Sequence, residues 1–119
     1  MPAPLIIDPQ AIENLRALTP GDNDEFLREI VGIFLEDTHQ RIAELEQSLA
    51  GNDPLRFTRA AHSVKGSSSN LGAMALRAVA ERLEQQSKQS GLVGLEPMLA
   101  ELKSEFARAA AALRQIPKL

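Results

Sequence analysis

Apolar residues recur at helical spacing in four long stretches of this chain, and residues that start or stop helices bracket each one. The last stretch, from about Leu95 to Ile116, is the most sustained. Leu95, Met98, Leu102, Phe106, Ala109, Leu113 and Ile116 step along one face. An earlier stretch begins at Asp22-Asn23-Asp24, carries Leu27, Ile30, Val31, Phe34, Ile42, Leu45 and Leu49, and ends at Gly51-Asn52. Asp53-Pro54 opens the next, as an N-cap followed by proline at the first helical position. Its apolar face is Phe57, Ala60, Ala61, Val64 and Leu71, with Gly72 as the expected left-handed residue after the last turn. From about Met74 to Lys88, Leu76, Val79 and Leu83 turn inward, and Gly91 and Gly94 punctuate the turn that follows. Asp8-Pro9 repeats the cap-and-proline device before a short segment with Ile12, Leu15 and Leu18, stopped by Thr19-Pro20-Gly21.

Amphipathic helices of this length must bury their stripes against one another, and short loops make sequential helices antiparallel. The expected fold class is therefore all-α: an antiparallel up-down-up-down four-helix bundle with a short extra N-terminal helix capping one end. At 119 residues the chain fits one domain over 1–119, with 1–21 as the N-terminal segment and 22–116 as the bundle. Ser67-Ser68-Ser69-Asn70 has the composition of a flexible linker. Val64 and Leu71 nevertheless sit a helical seven apart around it, so it reads as helix with small side chains.

A net charge of −3 and the absence of Tyr and Trp argue against nucleic acid as a partner, which calls for a basic face or aromatic platforms. Without Cys there are no disulfides or thiolate metal sites. No signal peptide is read at the N-terminus, and the longest apolar run, near Ile30–Leu35, is far too short to span a bilayer. A soluble, cytoplasmic, monomeric domain without membrane contact is expected.

Chemistry concentrates in one run, H-S-V-K-G-S-S-S-N-L-G-A, from His62 to Ala73. At about 100° per residue, Ala60, Val64 and Leu71 lie roughly 160–200° from His62, so the imidazole faces solvent opposite the core stripe. Thr58, Arg59, Lys65, Gly66 and Ser69 fall within about 60° of it. A lysine three residues on supplies positive charge, and a glycine four residues on supplies empty space. Gly in a helix costs about 1 kcal/mol relative to Ala, so Gly66 implies that something bulky must be admitted there. A solvent-facing imidazole is in good part neutral and nucleophilic near pH 7. Lys65 and Arg59 would disfavour its charged form as like charges, and would stabilise the oxygens of a transferred phosphoryl group. Ser69 either hydrogen-bonds the ring or the phosphoryl group, or is a small residue permitting close packing.

At Ala61-His62-Ser63-Val64-Lys65-Gly66-Ser67-Ser68-Ser69-Asn70-Leu71-Gly72-Ala73 the chain resembles the histidine-containing phosphotransfer family of bacterial and eukaryotic phosphorelays. The resemblance extends to Ile7-Asp8 with its short helix and to the long helix holding Phe26-Leu27 and Phe34. It implies a four-helix bundle with an exposed, phosphorylatable histidine in mid-helix. His62 would accept phosphate from a receiver-domain aspartate and pass it to another receiver, with Lys65 assisting electrostatically and Gly66 leaving room for docking. Relatives often carry a glutamine near the histidine on the next helix, a role open here to Gln85 or Gln86. Response-regulator receiver domains and a hybrid sensor kinase would be the partners. No cofactor is expected, the Mg²⁺ of the reaction belonging to the receiver.

Other residues fit this picture. No phosphate-binding loop or nucleotide lid occurs, so the chain is expected to be a carrier without kinase activity of its own. A helical adaptor that binds receiver or kinase domains without carrying phosphate is the alternative. Phe26, Ile30 and Ile33 form an apolar edge, covered by the first helix or open to a receiver. His39 reads as a surface residue, and Glu44–Glu46 and Glu81–Glu84 as solvated faces.

Overall fold

The structure, a computed structural model, describes residues 3–116. The first two and last three residues, which the expected domain of 1–119 includes, lie outside the described residues. Among those described, the chain forms five helices and no strand: α1 (Pro9–Arg16), α2 (Glu25–Ala50), α3 (Pro54–Leu71), α4 (Met74–Ser90) and α5 (Glu96–Gln115). Both Asp-Pro pairs act as starts. The Gln10 N–H donates to Asp8 Oδ1 at 3.0 Å, and the Arg56 N–H donates to Asp53 Oδ1 at 3.2 Å.

The start of α2 differs from expectation in detail. Asp24 sits in a left-handed conformation at φ 62° and makes no capping bond. Its carboxylate instead accepts from Arg16 Nε at 3.2 Å, tying the end of α1 to the start of α2. Asp22 takes over the cap, accepting from the Phe26 N–H at 3.1 Å. That bond is the main reason its carboxyl lies below the ordinary aspartate value. Because α1 stops at Arg16, Leu18 falls outside the apolar stripe and stays 66% exposed.

Helix α2 packs on α3 and α5, α3 on α4, and α4 on α5, closing a ring of four helices in chain order. The connections of two to five residues between them run the helices up and down. Fully buried Phe57, Leu45, Leu83, Leu102 and Leu113 meet in the centre, and the rings of Phe34 and Phe106 join α2 to α5 edge-on at 6.3 Å. Helix α1 lies against α2 and α3 at one end.

The turn from α3 to α4 is unusually constrained. Gly72 has φ +72°, its N–H donates to Ser69 O, and the Ala73 N–H donates to Ser68 O at 2.9 Å. This pair of bonds terminates α3 in a Schellman motif. The N-terminal segment then crosses the turn: Asp8 N–H donates to Gly72 O, and Ala75 N–H to Leu5 O, both at 2.8 Å. Since Ala73 brings no side-chain cap to α4, the Leu5 carbonyl satisfies one of its unpaired N–H groups. A Cβ on Gly72 would come within 2.7 Å of Ala11 Cβ and 3.0 Å of Asp8 O. Gly72→Ala is expected to cost at least about 2 kcal/mol in urea unfolding, from backbone strain and displacement of the N-terminal segment.

Candidate functional site

Helix α3 presents its polar side in two directions. His62 stands near its middle with 66% of its side chain exposed, while neighbouring Ala61 and Val64 are fully buried. The Ser67–Asn70 segment is helical, and back-bonds from Ser67 Oγ to Ser63 O and from Ser69 Oγ to Lys65 O, both 3.1 Å, absorb two of its three hydroxyls, Ser68 being buried against the core. Gly66 is exposed, and an added Cβ would meet nothing within 4 Å. The fold itself therefore does not require glycine there.

The side of His62 that faces α4 meets Glu84. Glu84 Oε2 lies 2.7 Å from His62 Nδ1, and Glu84 Oε1 lies 2.6 Å from Lys65 Nζ. Lys88, one turn further along α4, places its Nζ 3.7 Å from the same Oε2. An ionised carboxylate only accepts hydrogen bonds, so Nδ1 is the donor and carries the ring proton. The lone pair then resides on Nε2, which has no hydrogen-bond partner among the described residues. The ring is thereby held in one orientation and one tautomer, with Nε2 on a side chain that is two-thirds exposed.

Glu84 is only 5% exposed, which corrects its reading as part of a solvated face. It belongs to the buried stripe of α4 with Ala80, Leu83 and Ser87. Burial is the largest single influence on its carboxyl and pushes it up. Hydrogen bonds and charge from Lys65 and His62 together prevail, holding it below the ordinary value of 4.5. Just beyond, Thr58 Oγ1 and Ser87 Oγ hydrogen-bond at 2.6 Å, and Ser87 Oγ donates to Glu84 O at 3.0 Å. These bonds pin α3 and α4 in the register that brings Glu84 to His62.

The remaining expected residues lie elsewhere. Gln85 and Gln86 are exposed and make no hydrogen bond to His62 among the described residues. The place expected for one of them is taken by Glu84, because a step of one residue rotates a side chain by about 100°. Ser69 accepts from Arg77 Nε at 2.8 Å and does not reach the ring. Arg59 is exposed, one turn before His62, and lines a groove of about 450 Å³ with Arg41, Arg56 and Ser63. Lys65 is on the histidine's side of α3, but its ammonium is engaged by Glu84, so its charge compensates the carboxylate before it acts on the imidazole. The signal for Glu84 was present in the stripe: it stands four residues after Ala80 and three before Ser87. A carboxylate in an apolar stripe requires a cation from a facing helix.

His39 is exposed, and no group of three metal-ligating side chains occurs among the described residues. No helix among them is long and apolar enough to cross a membrane.

An exposed imidazole in mid-helix on a closed four-helix ring is the arrangement of a phosphotransfer bundle, and the chain belongs to the Hpt domain family, whose model matches residues 29–112. Multistep phosphorelay regulator 1 of Schizosaccharomyces pombe (strain 972 / ATCC 24843) is 32% identical over 79 residues, or 66% of this chain. The chain spans only 27% of that relative's length. Among solved structures, histidine-containing phosphotransfer protein B (HptB) from Pseudomonas aeruginosa PAO1 superposes with a TM-score of 0.86 at 25% identity, covering 95% of both chains. Histidine-containing phosphotransfer protein MtHPt2 from Medicago truncatula gives 0.78 at 21% identity, covering 95% of this chain and 82% of that one, a likeness of fold.

Removing the closest cation from a buried carboxylate costs more than removing both partners. Lys65→Met is expected to destabilise by about 3 kcal/mol at pH 7 in urea unfolding, with much of the loss recovered in Lys65→Met/Glu84→Gln. The native Glu84 carboxyl is held low, so its contribution to stability is complete above 4.5 and disappears as pH falls through the lowered native value. Unfolding free energies of Glu84→Gln should accordingly fall less steeply below pH 4.5 than those of the native protein.

Proposed function

We propose that this protein is a phosphorelay intermediate, in which His62 accepts a phosphoryl group from a receiver-domain aspartate and passes it to another receiver. The observation that carries this reading is the imidazole: 66% exposed, bonded to Glu84 only through Nδ1, and open at Nε2. In the accepting step the Nε2 lone pair attacks phosphorus, the bond to the aspartyl oxygen breaks, and the aspartate leaves as a carboxylate. No proton has to move, because Nδ1 already holds one. Such a transfer needs mainly positioning and neutralisation of charge. Lys65 and Lys88 bring two cations to the carboxylate that holds the imidazole, and Arg59 stands one turn before His62 on α3. The chain then acts as a carrier with no kinase activity of its own, and the Mg²⁺ of the reaction sits in the receiver's acidic pocket.

The receiver must approach along α3. His62, Gly66 and Asn70 follow at intervals of four residues, so a low strip runs from the imidazole past the bare glycine. Asn70 and Ser67 border an apolar groove of about 370 Å³ formed with Leu15, Ile30, Ile33 and Phe34. Helix α1 covers part of the apolar edge of α2, yet Ile33 remains 60% exposed. We infer that this edge continues the docking surface for receiver domains, among them that of a hybrid sensor kinase. An interface below about 1,200 Å² suits partners that must separate after each transfer. Nothing in this arrangement calls for a membrane or for location outside the cytoplasm.

Incubation with a phosphorylated receiver is expected to leave acid-labile phosphate on His62, and His62→Gln to abolish it. Retention of the label by His62→Gln would overturn the assignment, and intact signalling by that variant would favour an adaptor that carries no phosphate. Gly66→Leu meets no steric obstacle in the free protein and relieves the cost of a helical glycine. It is expected to unfold no more easily than the native protein while accepting phosphate at least tenfold more slowly. Native transfer rates in folded Gly66→Leu would rule out Gly66 as the clearance for docking.

A further inference from the structure

The carboxylate beneath His62 does more than orient the ring. Resting on the acceptor role of His62, we propose that Glu84 is the positioning residue that makes the phosphorylated imidazole a ready phosphoryl donor, by serving as counter-charge to its protonated form.

The chemistry follows from where the Nδ1 proton sits. When neutral His62 attacks through Nε2, the product is an N-phosphoimidazolium that still bears hydrogen on Nδ1. Its added positive charge faces Glu84 Oε2 across 2.7 Å. In the donating step an aspartate oxygen of the next receiver attacks phosphorus, the P–Nε2 bond breaks, and its electron pair returns to Nε2. The group that leaves is then neutral imidazole. If Nδ1 lost its proton first, the leaving group would be an imidazolate anion, a far poorer one. Whatever retains that proton therefore keeps the phosphoryl group transferable.

Glu84 is built for this role. Its side chain is only 7% exposed, so water screens its charge poorly, and an opposite charge within hydrogen-bond distance strongly favours the ionised partner. The carboxyl is held below the ordinary glutamate value and so remains charged through the neutral range. The charged groups around the ring are Arg59 and Lys65 on α3 and Glu84 and Lys88 on α4. The cations oppose protonation of the ring, but Lys65 and Lys88 both lie against Glu84, at 2.6 and 3.7 Å. Once a phosphoryl group is bound they have its oxygens to turn to, most easily Lys88, whose side chain is 63% exposed. The full charge of Glu84 is then left facing Nδ1–H. No other carboxylate is hydrogen-bonded to the imidazole among the described residues.

Glu84→Gln isolates the charge from the geometry, because the amide oxygen of glutamine can still accept from Nδ1–H. Native protein, Glu84→Gln and His62→Gln would be treated with phosphoramidate, a small phosphoryl donor that dispenses with any receiver. Phosphohistidine would then be followed by ³¹P NMR between pH 5 and 9. The native protein should keep its fast, proton-dependent loss of phosphate to higher pH. In Glu84→Gln the midpoint of that profile should fall by about one pH unit. Loss of the label at pH 7.5 should slow several-fold, and ¹⁵N shifts should show Nδ1 of the phosphorylated ring deprotonated at lower pH. Coincident profiles for native protein and folded Glu84→Gln would overturn the inference while leaving His62 as the acceptor. Equal labelling of native protein and His62→Gln would overturn the acceptor reading, and this inference with it.

Discussion

A carboxylate withdrawn from water must be compensated or it will not stay charged, and Glu84 organises the functional half of the molecule around that requirement. Lys65 and His62 answer it from α3, at 2.6 and 2.7 Å, and Lys88 does so from α4 at 3.7 Å. Each partner is itself constrained by doing so. The imidazole takes one orientation and one tautomer, Lys65 is drawn across the seam, and α3 and α4 are set in register. The bond between Thr58 and Ser87 continues the same polar seam one turn away. An apolar pair of helices could slide by small steps at modest cost, whereas a buried ion with two fixed partners cannot.

Beside this seam stand one glycine that the fold requires and one that it does not. The α3–α4 turn is rigid: Gly72 combines a left-handed backbone with close approach of Ala11 and Asp8, and the Leu5 carbonyl caps α4. Gly66 is the opposite case, a glycine facing open space in a helix that would be more stable without it. Two residues of one type thus answer different demands. One serves the fold of the free chain, and the fold of the free chain does not ask for the other.

The likeness to HptB of Pseudomonas aeruginosa PAO1, a TM-score of 0.86 at 25% identity, has the same physical origin. A ring of four helices asks only that each carry an apolar stripe of sufficient length and a stop of the right kind. The contact between α3 and α4 asks for more, since a group on the facing helix must reach Nδ1 of His62.

Local chemistry was enough to read the helices, because caps, prolines, glycines and periodic apolar residues act within a few residues of one another. Pro54–Leu71 was legible to its ends, since Asp53, Pro54 and Gly72 each act on the adjoining backbone. The outward direction of His62 followed from 3.6-residue geometry alone. What the chain could not disclose by itself was the content of the contact between α3 and α4. Which of Glu84, Gln85 and Gln86 meets the ring depends on the rotation and register of one helix against another. The sum of core packing decides that, together with the Thr58–Ser87 bond. The role of Asp24 was hidden for the same reason: it has the form of a cap, but the position of Arg16 on α1 makes it an ion-pair partner. Sequence determined the helices and the outward direction of His62, through forces that reach one or two turns. Tertiary structure decided which charges meet, because burial sets their worth and only the assembled bundle sets burial.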